Sequence, residues 1–211
     1  MKNRRDTEPF AVMPTALLVK GLLAADADMP IAVAKVWPLL LLHGRTVAAY
    51  PSTRKLADRS GLSVRTVQVA LYWIDAGEHG MIRSRERRYR KSTRRIMRVF
   101  QLGKRSANFP LFESVADVFR DLSSSAVATY LALRTFAVAE HETDFTLGGF
   151  ADRRTETLSD LPASTRVAAR SGGDRHHIPA CCRALISAKL LGQYEDGTWW
   201  IAVKVPAFTD D

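Results

Sequence analysis

The sequence predicts a mainly α chain with small β wings, built as two tandem copies of one unit. Three observations predict this. Residues 51–74, PSTRKLADRSGLSVRTVQVALYWI, hold two short amphipathic runs joined at a glycine. Residues 81–102, MIRSRERRYRKSTRRIMRVFQL, read as a strand pair dense in arginine. The first pattern also returns 111 residues later: Pro51 matches Pro162, Ala57 matches Ala168, and Arg59-Ser60-Gly61 matches Arg170-Ser171-Gly172. Val67 then matches Ile178 and Ile74 matches Leu185, which keeps the small residue, the turn glycine and the apolar positions.

The elements follow in order. Residues 10–23 form a short lead-in. A first helix is expected over 29–43, with Pro30 near its start and a kink at Pro38. Residues 45–50 form a short strand. Ser52 caps a second helix that stops at Gly61, where a left-handed residue is expected, and Ser63 caps a third helix over 64–75. Two strands then make the wing, turning near residues 91–93, and residues 103–111 read as an interdomain linker. The second unit repeats the order with a helix over 124–140 and a long loop over 142–161, with a small strand near 145–150. Its last helix, near 176–188, should start later than its counterpart, because Pro179 lacks an amide hydrogen and belongs in a first turn. A strand-like segment over 193–205 closes it. The expected domains are 9–102 and 109–206.

Charge separates the two units. Residues 1–108 carry 21 basic and 8 acidic side chains, whereas residues 109–211 carry 10 and 14. A surplus confined to one half points to a polyanionic partner there. Between Arg83 and Arg105 there are 11 Arg or Lys against one acid, Glu86. Cys181 and Cys182, neighbours in sequence, make poor disulfide partners. Two thiols without a secretory leader fit a reducing cytoplasm, and the most apolar run, 31–42, is too short for a membrane span and contains Lys35.

At about 100° per residue, Val64, Val67, Ala70, Leu71 and Ile74 share the core face of the third helix. Arg65, Val69 and Tyr72 fall opposite, flanked by Gln68 on one side and by Thr66 and Trp73 on the other. That face offers a guanine reader (Arg65), an adenine reader (Gln68), a methyl contact (Val69) and a phosphate hydroxyl (Tyr72), the groups that major-groove edges call for. Ser52, Thr53 and Arg54 would anchor a phosphate at the start of the second helix, with Ser63 at the next helix start. In the wing, Arg83, Arg85 and Arg87 should share one strand face, and Ser84, Glu86 and Arg88 the other. With Arg90, Lys91, Arg94 and Arg95 they can straddle a phosphate backbone or enter a minor groove. RNA ranks below DNA, because no aromatic-rich strand for base stacking is visible.

The string Tyr50-Pro51-Ser52, Leu56-Ala57, Gly61-Leu62-Ser63, Arg65-Thr66-Val67 and Leu71/Ile74 carries a resemblance. Residues 10–102 resemble the winged helix-turn-helix module of bacterial plasmid and phage replication proteins and of GntR-type regulators. The tandem arrangement is similar to theta-type plasmid replication initiators, which have two winged-helix domains and bind repeated origin sites. The resemblance implies sequence-specific binding of double-stranded DNA and replication initiation. Two departures stand out. Glu78-His79-Gly80 lengthens the turn into the wing, and the charge lies on the first domain, whereas the second usually dominates specific contact in such initiators.

Two alternatives remain open: a winged-helix transcriptional regulator or autorepressor, and a protein–protein adaptor of replication or partition machinery. The second domain would contact DNA weakly or form a homodimer. No cofactor and no enzymatic activity are expected. His176, His177, Cys181 and Cys182 lack the spacing of a four-ligand zinc site, and the thiols fit an apolar stripe. No phosphate loop, zinc-protease helix or nicking-enzyme histidine pair occurs. Of Trp199 and Trp200, one indole should pack inward and one stay partly exposed.

Overall fold

Ten consecutive residues of helix α1 (Val33–His43), Val33 through Leu42, are buried, including Lys35 and Trp37. A helix apolar all round belongs at the centre of a fold. The structure, a computed structural model, describes residues 8–14, 30–44, 48–49, 51–76, 82–90, 93–100, 108–140 and 155–205. Most of the lead-in after residue 14 and the turn at 77–81 lie outside these residues. So do the tip at 91–92, the segment 101–107 and the loop 141–154, with the strand expected at 145–150.

The described chain is mixed α and β. Strand β1 (Phe10–Pro14) precedes α1, followed by β2 (Ala48–Ala49), α2 (Thr53–Ser60), α3 (Val64–Asp75), β3 (Ile82–Arg90) and β4 (Thr93–Phe100). The second half runs β5 (Asn108–Phe112), α4 (Glu113–Val118), α5 (Ser124–Glu140), β6 (Thr155–Leu158), α6 (Ser164–Ser171), α7 (Ile178–Ser187), β7 (Leu191–Gln193) and β8 (Trp199–Ala202). Three small antiparallel sheets are described, in the orders β1-β5, β2-β4-β3 and β6-β8-β7.

Local chemistry sets the helix ends. Ser52 Oγ accepts from Lys55 N at 3.2 Å, and Ser63 Oγ accepts from Thr66 N at 3.1 Å, so both expected caps form. Gly61 ends α2 with φ 67°, and Gly172 ends α6 with φ 65°. The repeat extends to one hydrogen-bond motif. Buried Ser60 Oγ donates to Ala57 O and accepts from Leu62 N, and buried Ser171 Oγ donates to Ala168 O and accepts from Gly173 N. Pro179 lies in the first turn of α7, which begins at Ile178, three residues later than the offset from Val64 would place it.

Several expectations change. Helix α1 starts at Val33 rather than near 29, because Ile31 and Ala32 form a turn in which Val33 N donates to Pro30 O at 2.8 Å. The linker expected over 103–111 is a strand from Asn108, antiparallel to β1 and centred on Val12 opposite Pro110. Phe109, Pro110, Leu111 and Phe112 are all buried in that strand, so both of its faces are packed. The long loop expected over 142–161 contains β6, whose two inward positions are the buried carboxylate Glu156 and Leu158. Both indoles of Trp199 and Trp200 are half-buried, and the ring of Trp200 lies over Gly192, where a Cβ would come within 2.3 Å of it.

One cluster of buried apolar side chains runs through both halves, from Trp37 and Leu40 of α1 to Tyr130 and Leu133 of α5 and on to Cys181 and Leu185 of α7. Arg134 of α5 is fully buried. Its Nε and Nη2 donate to Glu156 at 3.0 and 3.1 Å, and its Nη1 donates to Tyr130 Oη at 3.0 Å. Burial is the largest single influence and works against the Arg134 charge, but the Glu156 carboxylate and Tyr130, with the hydrogen bonds to both, together outweigh it and raise the pKa. Burial also pushes the Tyr130 hydroxyl up.

Candidate nucleic-acid interface

Helix α3 buries Val67, Ala70, Leu71 and Ile74 and turns its other side outward. Arg65 and Gln68 are exposed, Val69 is 51% exposed and Tyr72 is 82% exposed. Four of the expected contact residues therefore share one open face. A tyrosine that open leaves most of its ring in water, which has a free-energy cost and suits a surface made to be covered. Val64 departs from expectation: it is 44% exposed rather than core-facing. As the first residue of the helix, it points back past the packed turn, because helical side chains lean toward the N-terminus.

Thr66 is half-buried, and its hydroxyl lies 2.7 Å from Ser63 Oγ. Both side chains thus help close the first turn of α3, and their hydroxyls are already engaged with each other. Ser52 is exposed and occupied as a cap, Thr53 is half-buried, and Arg54 is exposed. Lys55 beside it is also exposed and was missing from the expected set.

The arginine hairpin forms as β3 and β4. Its register sets Arg85 opposite Arg98, Arg87 opposite Ile96, Arg88 opposite Arg95, Tyr89 opposite Arg94 and Arg90 opposite Thr93. Arg83 falls at an irregularity between Ile82 and Ser84, so the expected row of Arg83, Arg85 and Arg87 is broken at its first member. Lys91 lies outside the described residues, and the hairpin arginines other than Arg98 are described through their backbone. Arg98 is buried. Its Nε and Nη2 donate to the two carboxylate oxygens of Asp75 at 2.6 and 2.7 Å. One of the 11 cations counted between 83 and 105 is therefore held inside the protein, facing the end of α3.

The second helix pair is more cationic than the half that contains it. Residues 163–189 contain Arg166, Arg170, Arg175, Arg183 and Lys189 against the single acid Asp174. The acids of this half lie in other segments. Arg166, Arg175, His176, Pro179, Ala180 and Arg183 are exposed, and Ile178, Cys181, Cys182 and Leu185 are buried, as the apolar stripe predicts. Counting charge over whole halves hid this local surplus, and a window the length of the helix pair would have found it.

Electrostatic detail supports the second turn. The Asp174 carboxylate accepts from His176 N at 2.9 Å, and this bond, aided by nearby positive groups, holds its pKa below the ordinary value. Arg170 stacks on Phe136 at 3.5 Å and donates to Thr135 Oγ1 at 2.7 Å, so it serves packing more than ligand contact. Burial raises the Cys182 thiol pKa, which keeps it neutral and unreactive.

No family model matches this chain, and no curated protein or solved structure matches it. No helix among the described residues is long and apolar enough to cross a membrane.

Proposed function

We propose that each half is a winged helix-turn-helix unit and that the protein binds double-stranded DNA with sequence preference. We further propose the role of a plasmid- or phage-type replication initiator acting on repeated sites. The observation that carries the DNA reading is the open face of α3, where Arg65, Gln68, Val69 and Tyr72 stand exposed on a helix followed directly by the arginine hairpin. Such a helix can enter a major groove while the hairpin grips flanking phosphates. The tandem arrangement, with α2 and α6 matched residue for residue at an offset of 111, supports an initiator more than a single-unit regulator. The cationic segment 163–189 favours DNA contact by the second half over a role in dimerisation alone. Two buried, unlinked thiols agree with a cytoplasmic location.

Selection of bound fragments from a random duplex pool, followed by footprinting, tests this. Binding should be steeply salt-dependent, and the enriched site should recur in an origin-like array rather than singly at a promoter. Arg65→Ala should relax preference at one base pair and cost about 1–3 kcal/mol. Arg88→Ala should weaken all duplexes alike and lower the salt slope by about 1. Equal, uniform losses from both variants would refute the division between reading helix and gripping hairpin.

A further inference from the structure

We infer that Asp75 and Arg98 are a positioning pair that fixes the arginine hairpin at a set angle to α3, so that the two elements meet duplex DNA as one surface. This rests on the DNA-binding reading above. Asp75 is the last residue of α3. The C-terminal end of a helix carries partial negative charge, so an acid there is unfavourable unless something opposes it. Arg98 opposes it with two donors, at 2.6 and 2.7 Å, and the side chains of Arg98 and Asp75 are only 5% and 7% exposed. Such a two-point fork defines a plane as well as a distance, so it resists rotation as a single contact does not.

The place of Arg98 in the sheet gives the fork its reach. It lies on β4, the central strand, with Ala49 of β2 opposite on one side and Arg85 of β3 on the other. Arg95 and Arg94 lie three and four residues back along the same strand, toward the hairpin tip, roughly 10–14 Å away at strand rise. A small rotation at Arg98 therefore moves those arginines by a large part of a phosphate spacing. Two buried charges add little stability over an apolar pair of the same size, so fixed direction is the property this arrangement supplies. The second half does without it: Ile186, half exposed, stands where the offset would place Asp75.

The test compares the full chain with Asp75→Asn, measured with a random-sequence duplex and with the sequence enriched by selection. Asp75→Asn makes the protein more positive, so a merely structural role predicts an unchanged or steeper salt slope. The positioning role predicts a slope smaller by about 1–2, with preference at the Arg65 base pair retained. Arg98→Lys, which keeps the charge and loses the fork, should act in the same direction. Glu156→Gln, which weakens the other buried pair, controls for lost stability and should leave the slope unchanged. An unchanged slope in folded Asp75→Asn and Arg98→Lys overturns the inference, as does failure of both variants to fold. If the unaltered protein binds neither duplex at low salt, the DNA-binding reading itself falls.

Discussion

Lys35 is a buried amine on the central helix, and its Nζ donates to Arg120 O at 3.3 Å. Burial lowers its pKa from the ordinary lysine value of 10.5, and Asp121 nearby opposes that shift only in part. The sign follows directly. Between the lowered folded value and the unfolded value, the unfolded chain holds more protons, so stability rises with pH across that window. Urea midpoints measured from neutral pH to pH 10 should therefore climb more steeply in the unaltered protein than in Lys35→Met. Parallel pH profiles would show that the amine is solvated. Residues of this kind are hard to read in a sequence, because a lysine within an apolar run usually signals a break in burial. Ser60 and Ser171 pose the same difficulty: each is a polar residue that is buried because its hydroxyl satisfies the backbone of the following turn.

The turn between α2 and α3 is held from both sides. Gly61 has φ 67°, and a Cβ placed on it would lie 2.5 Å from the carbonyl oxygen of Arg120 in the second half. Gly61→Ala should therefore cost more than the about 1–2 kcal/mol of left-handed backbone alone. Gly197→Ala is the comparison, since Gly197 has φ 87° and open space around it, so its loss should stay near the backbone cost. Chemical denaturation of both variants checks the difference. At this scale most helices are legible, because caps and the turn glycine act on neighbours in sequence: α3 runs Val64–Asp75 and α5 runs Ser124–Glu140, as the pattern predicts, whereas the short α4 has no signal of that kind. Strands β5 and β6 are not. The first reads as a linker and the second falls within an expected loop, because β5 pairs with a strand about a hundred residues away and β6 turns Glu156 inward where alternation calls for an apolar side chain.

Across the whole molecule the halves are joined by the β1–β5 ladder, by the packing of α1 against α5 and by Arg59, which bonds Glu113 and Asp117 at 2.9 Å each. The Arg59 contacts are partly exposed and add little stability. The shared apolar core carries the coupling. Calorimetry should accordingly show one unfolding transition whose calorimetric and van't Hoff enthalpies agree. Two separated transitions would mean that the halves fold independently, as a plain tandem of domains requires. The sequence by itself determined most of the helices, the repeat, the outward face of α3 and the concentration of arginine in one hairpin, because each depends on near neighbours and on periodicity. Only tertiary structure decided that Arg98 turns inward to Asp75, that Glu156 is buried against Arg134 and that the presumed linker is a strand. Those outcomes depend on partners distant in the chain, and desolvation makes a charge or a backbone acceptable inside only once its partner is there.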